Sequence, residues 1–131
     1  MLFRSPFFVL PLREAAKHAP PLPETDPEAP GPFALAGEAR VRRVLSDAGY
    51  ADIGFEPHEL ELDIAAGRGL EAAVKAAMTI GPTSRMLDGQ SEAVCAATAN
   101  DIRKALAAHM RGGSAPLGAA IWIVTATNPD R

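Results

Sequence analysis

The chain has 131 residues, 47% of them apolar, and a formal net charge of −3. That length suits one compact domain with a real core, and that apolar content excludes a disordered segment. The scattered basic residues exclude an electrostatic footprint for nucleic acid or for an acidic membrane surface.

Cys95 is the lone cysteine. It cannot form an internal disulfide or a cysteine-based metal site, so a reducing cytoplasm is the expected location. Arg4 followed by Phe7-Phe8-Val9-Leu10 resembles the start of a secretory signal. Pro6 and Pro11 bracket an apolar stretch too short for one, and Arg13-Glu14 follows at once. A signal peptide is therefore not expected, and no run approaches membrane-spanning length.

Taken in order, residues 1–12 are apolar and punctuated by proline, which predicts an extended segment or loop. Residues 12–18 predict a short helix with Leu12, Ala15 and Ala16 inward. Pro20, Pro21, Pro23, Pro27, Pro30 and Pro32 then forbid helix and central strand alike. This stretch reads as a stiff strap lying over the rest of the molecule.

Residues 37–50 predict the clearest helix, with Val41, Val44, Leu45 and Ala48 on one stripe. Arg40, Arg42 and Arg43 lie off that stripe as a solvated face. Gly49 follows where a left-handed residue is wanted, and Tyr50 can pack back on the last turn.

Residues 52–64 predict a strand. Ile53 and Phe55 share one parity, whereas Leu60, Leu62 and Ile64 share the other. Turning both sets to one face requires a bulge or break at Pro57-His58. The alternating Glu59, Glu61 and Asp63 read as an exposed strand face, and Pro57 suits a sheet edge.

A loop at 65–69 follows. A helix over 70–79 carries Leu70, Ala73, Val74, Ala77 and Met78 on one face, and Gly81-Pro82 stops it. Thr83-Ser84 can cap a short turn that ends at Gly89. Ser91 caps a longer helix to about Met110 with the stripe Val94, Thr98, Ile102, Ala105, Leu106 and His109. Gly112-Gly113 terminate it.

The run from Gly118 to Thr127 is apolar on both parities, with Ile121 and Ile123 against Trp122, Val124 and Ala126. Such a strand is ordinarily covered on both faces and paired on both edges. The chain offers one good partner, the strand at 52–64.

Motifs with catalytic spacing are absent. There is no G-x-S-x-G, no Walker loop and no full G-x-G-x-x-G, and Gly67-Arg68-Gly69 lacks the third glycine. His18, His58 and His109 share no helical face, so no metal site is expected.

Several phrases occur in a telling order. A proline-rich Asp26-Pro27-Glu28-Ala29-Pro30-Gly31-Pro32-Phe33-Ala34 leads to a helix ending Leu45-Ser46-Asp47-Ala48-Gly49-Tyr50. Ile53-Gly54-Phe55-Glu56-Pro57 follows, then an insert with Ile80-Gly81-Pro82-Thr83-Ser84-Arg85, then the closing apolar strand. Over nearly its whole length the chain resembles the C-terminal portion of bacterial class I S-adenosylmethionine-dependent methyltransferases, close to the quinone-biosynthesis group.

The resemblance implies an α/β fold, the C-terminal half of a doubly wound Rossmann-like sheet. Residues 1–33 would be the strap, and 34–64 a crossover helix and sixth strand. Residues 65–113 would be a helical lid, and 114–131 would hold the antiparallel seventh strand. The fifth strand, its other neighbour, would end just before Met1. Strap and lid would cover a methyl-acceptor pocket at the carboxyl ends of the parallel strands. Phe7, Phe8 and Met78 would enclose a small apolar acceptor there, with Thr83 beside it, and Arg85 would orient its polar group.

No residue matches the family's glycine-rich turn or acidic ribose-binding residue. S-adenosylmethionine is the cofactor of the intact family and is not expected to bind this chain alone. The expected partner is an N-terminal methyltransferase half. The alternative is a stand-alone dimeric α+β module for a small apolar ligand, self-associated through the strand at 118–127.

Overall fold

A computed structural model describes residues 5–23, 26 and 28–131. Residues 1–4 of the expected N-terminal segment, and 24, 25 and 27 of the strap, lie outside the described residues. The elements run α1 (Pro6–Ala15), α2 (Glu38–Asp47), β1 (Ala51–Asp63), α3 (Leu70–Thr79), α4 (Gly81–Leu87), α5 (Glu92–Ala107) and β2 (Pro116–Thr127). The class is mixed α/β. Among the described residues the sheet has two antiparallel strands, and the wider doubly wound sheet is not present.

The strands pair in unbroken register from Gly54↔Thr125 to Asp63↔Pro116. The irregularity lies between Ala51 and Gly54, where Asp52 adopts φ 52°, and not at the expected Pro57-His58. The change of apolar parity has another cause. One straight strand uses both faces at different places. Phe55 packs edge-to-face on Trp122 at 5.6 Å, on the side where Arg42 of α2 lies 4.8 Å over the Phe55 ring. Leu60 and Leu62 share the opposite face with their partners Ala119 and Leu117.

The main core sits where the two-stranded sheet meets the helices. Ile64, Ala73, Val74, Ala77, Ile102, Leu106, Ala115 and Leu117 form one buried cluster. Small alanines on α3 let α5 approach closely, and the α5 stripe buries Thr98, Ile102 and Leu106 as its spacing predicts. Ser91 caps α5, its hydroxyl accepting the Val94 N–H at 3.2 Å. The helix ends at Ala107, which leaves His109 exposed beyond it. A second cluster joins Ala15 and Ala19 to Met86 and Leu87 of α4.

Residues 6–15 are helical, not extended as the prolines predicted. Pro6 occupies the first turn, where a missing N–H costs little. Pro11 lies inside the helix and is fully buried, which denies the Phe7 carbonyl its helical partner. Phe7 and Leu10 pack against the main core, and that burial offsets the local penalty. The helix α4 likewise begins at Gly81-Pro82, with no side-chain cap from Thr83 or Ser84. No described helix is long and apolar enough to cross a membrane.

Asp63 fixes the end of the strand pair. Its carboxylate accepts the N–H groups of Ala65 at 2.9 Å, Gly67 at 2.7 Å and Ala115 at 2.8 Å. The Ala115 hydrogen bond foremost, with further help from Ser114, Gly67 and Ala65, holds this carboxyl below its ordinary range against a smaller desolvation effect.

Two predictions follow from this packing. Leu106→Ala should lower unfolding free energy by about 3 kcal/mol in a urea titration, because the side chain is fully buried in the cluster formed with α3 and the paired strand ends. A loss under ~1 kcal/mol would contradict its place in the core. Asp63 has a folded pKa below its unfolded value of about 3.9. Its contribution is therefore present above that value and lost as pH falls through the folded pKa. Asp63→Ala should lower the Tm at neutral pH, and the difference from wild type should shrink in strong acid. An equal difference at all pH values would contradict the carboxylate's role.

Candidate functional site

The alternation of hydrogen bonds along β2 decides what its free edge offers. Ile64 N–H donates to Ala115 O at 3.2 Å, in register with the strand pairs. Even-numbered residues of β1 therefore exchange backbone bonds with odd-numbered residues of β2. The even-numbered residues of β2 turn their N–H and C=O groups outward. Ala120 shows this directly, since its N–H donates to Ser5 Oγ at 3.2 Å. Beyond it, the outward groups of Trp122, Val124 and Ala126 have no hydrogen-bond partner among the described residues. Pro57 faces Trp122 across a pair of this non-bonded kind, so its missing N–H costs the ladder nothing.

An apolar groove runs beside this edge. Val41, Val44 and Leu45 of α2 face Trp122, Val124 and Ala126 across a cavity of about 530 Å³. The stripe of α2 does not turn wholly inward as its spacing predicted. Val41 is buried, but Val44 is 45% exposed, because nothing described fills the groove. The α2 end follows expectation. Gly49 has φ 94°, and the Tyr50 N–H reaches back to Leu45 O at 3.0 Å. On the opposite sheet face Ile121 is 43% and Ile123 44% exposed. The expected cover on both faces of β2 is thus incomplete.

Leu35 and Ala36, just after the strap, close one end of the groove. The Trp122 indole N–H donates to Ala36 O at 2.9 Å, and Leu35 and Trp122 also line a second cavity of about 220 Å³. Phe7, Phe8 and Phe33 make successive edge-to-face contacts at 5.1 Å. Glu28 holds the strap to α2 by accepting from Arg40 and Arg43. Arg42 bonds Glu38 at 2.8 Å and Ile53 O at 3.3 Å. All three arginines are thus engaged within the chain.

The five residues expected at an acceptor do not line one cavity. Phe8 borders the 220 Å³ cavity. Arg85 borders another of about 270 Å³ with Pro82, Phe33 and Leu12. Phe7 packs on the main core, and Met78 bridges the two core clusters. Thr83 is buried, 1% exposed. The partners that the sequence reading missed are Glu28 and Leu35. The apolar stripe of α2 and the double apolar parity of β2 both signalled the groove.

No protein-family model, curated protein or solved structure matches this chain.

The backbone N–H groups of the loop at 65–69 are engaged within the chain. The Gly67 N–H is given to Asp63, and the Gly69 N–H to Gly113 O at 2.8 Å. A Cβ at Gly113 would stand 2.7 Å from Gly67 O, so the two loops are in direct contact. Among the described residues no group of three His, Cys, Asp or Glu side chains is placed to hold a metal ion. His18 pairs with Asp101 of α5 at 2.6 Å, and this hydrogen bond holds the Asp101 carboxyl below its ordinary range.

Glu28→Gln should free the strap at little cost in global stability, within ~1 kcal/mol, because the ion pairs are half exposed. Limited proteolysis should then cut residues 20–36 faster than in the wild type. Unchanged cleavage would contradict a strap held by Glu28.

Proposed function

We propose that this chain is the acceptor-side portion of an S-adenosylmethionine-dependent methyltransferase, completed by a half that binds the methyl donor. The observation that carries this reading is the order and polarity of the last elements. A crossover-like helix α2 leads into β1, a helical insert follows, and β2 returns antiparallel to β1, its other edge without a strand partner among the described residues. These are the relations that the resemblance implies for the last two strands of such a sheet. The strap, α1 and α4 meet around Gly81, where a Cβ would lie 3.7 Å from both Phe8 and Pro32. This supports their reading as a cover.

In this division of labour the chain's own residues bind and orient the acceptor. Phe8 and Phe33 supply apolar walls. Arg85 is exposed at the mouth of the 270 Å³ cavity and suits an acidic or strongly polar group on the acceptor. The donor's site and the chemistry of transfer belong to the completing half.

A second reading is a stand-alone dimer that binds a small apolar ligand. The 530 Å³ groove with its largely apolar lining favours it. Light scattering separates the two, since a stable dimer with a cooperative melt supports the second.

Calorimetric titration of the chain with S-adenosylmethionine should give no binding heat, and micromolar binding would contradict the division of labour. In the completed enzyme Arg85→Ala should raise the acceptor KM about tenfold, consistent with loss of one charge-assisted hydrogen bond. An unchanged KM would remove Arg85 from the acceptor site.

A further inference from the structure

Two unlike cavities meet at Tyr50. It lines the apolar 530 Å³ groove between α2 and β2, and it also lines a smaller cavity of about 150 Å³ with Ala48, Gly49, Asn128 and Asp130. Two turns bring these residues together. The helix α2 ends at Asp47, and the turn at Gly49 returns Tyr50 to Leu45. Ala51 pairs with Thr127, so the residues after β2 stand beside Tyr50. Asn128 then accepts the Asp130 N–H through Oδ1 at 3.1 Å and the Arg131 N–H through its carbonyl at 3.2 Å, which fixes that turn. The Tyr50 hydroxyl and the Asp130 carboxylate have no hydrogen-bond or ion-pair partner among the described residues.

The smaller cavity is electronegative. The carbonyl end of α2 is its negative pole, and no basic residue occupies the last turn. Asp130 adds a carboxylate to the wall. Arg131 follows it but lines neither cavity, and no other basic side chain lines either one. This end of the groove is also remote from the N-terminal segment. Ser5 sits at Ala120, and Ala126 lies about 20 Å further along β2 at ~3.4 Å per residue. The backbone of the four residues before Ser5 spans at most about 14 Å. Leu22 and Asp26, on either side of residues 24 and 25, border a different cavity, the one at Arg85.

We propose that groove and smaller cavity form one site for a single-tailed cationic amphiphile, a long-chain primary amine. The tail lies between Val44 and Leu45 of α2 and Val124 and Ala126 of β2, and the ammonium group lies at Asp130 beside the Tyr50 hydroxyl. The groove accepts any apolar tail of that size, and the head is selected by charge. A carboxylate head would face Asp130 and the negative end of α2, and a neutral head would forgo both attractions. The proposal rests on the reading of the groove as a site for a small apolar ligand and names that ligand's class. It does not require the dimer.

Trp122 is the lone tryptophan and lines the groove, so its emission reports occupancy. The test titrates the whole chain with decylamine, decanoate and decanol, each below its aggregation concentration, at neutral pH and low salt. Decylamine should shift the Trp122 emission to shorter wavelength and bind about fivefold more tightly than decanol, the scale of one partly exposed ion pair. Decanoate should bind more weakly than decanol. Asp130→Asn should bring decylamine to the affinity of decanol and leave decanol unchanged. Asp88→Asn removes the same charge at an exposed position that lines neither cavity, and it should leave the preference intact. Equal affinity for amine and carboxylate, or an equal effect of the two substitutions, would overturn the cationic head while the apolar-ligand reading stands. No emission change with any of the three would overturn both.

Discussion

A strand carries hydrogen-bonding groups on two edges, and among the described residues β2 pairs along one of them. Most of the molecule's form follows from that asymmetry. The paired edge binds β1 in a long unbroken register. The other edge is capped at Ala120 by Ser5, and from Trp122 onward it has no partner among the described residues. An exposed apolar edge invites pairing with other chains, and beyond Pro116 at its start β2 carries neither charge nor proline to blunt it. The groove beside it, the exposed α2 stripe and the bare isoleucines are the same incompleteness seen from three directions.

The rest of the chain is well consolidated. Alanine-rich α3 and α5 close on one end of the strand pair, and Asp63 ties β1, the 65–69 loop and the start of β2 together. Order is therefore concentrated at one end of the sheet. The strap reaches the other end through Glu28 and the Trp122 indole. A body built in this way can present a preformed edge without depending on the partner for its own core.

Much of this was legible from residues. The α5 stripe, the Ser91 cap, the Gly49 terminus and the two strands each rest on a local rule, and each stands where that rule puts it. The failures have tertiary causes. Prolines argue for an extended N-terminus, but Phe7 and Leu10 gain more by burial in a helix than Pro11 costs. The parity change in β1 argues for a bulge, but Phe55 and Leu60 meet different bodies on opposite faces of one strand. The acceptor residues were placed by resemblance, and no local rule could show that Phe8 and Arg85 border separate cavities. The groove itself was half legible. Its walls read as apolar, but spacing cannot reveal that the body between them belongs elsewhere.

The most direct test of this account is amide hydrogen exchange, residue by residue, along β2 in the isolated, dilute chain. The account predicts alternation: Ile121, Ile123 and Thr125 protected by the β1 ladder, and Trp122, Val124 and Ala126 exchanging rapidly to solvent. Uniform protection across residues 121–126 would contradict it, because the second edge would then already have a partner.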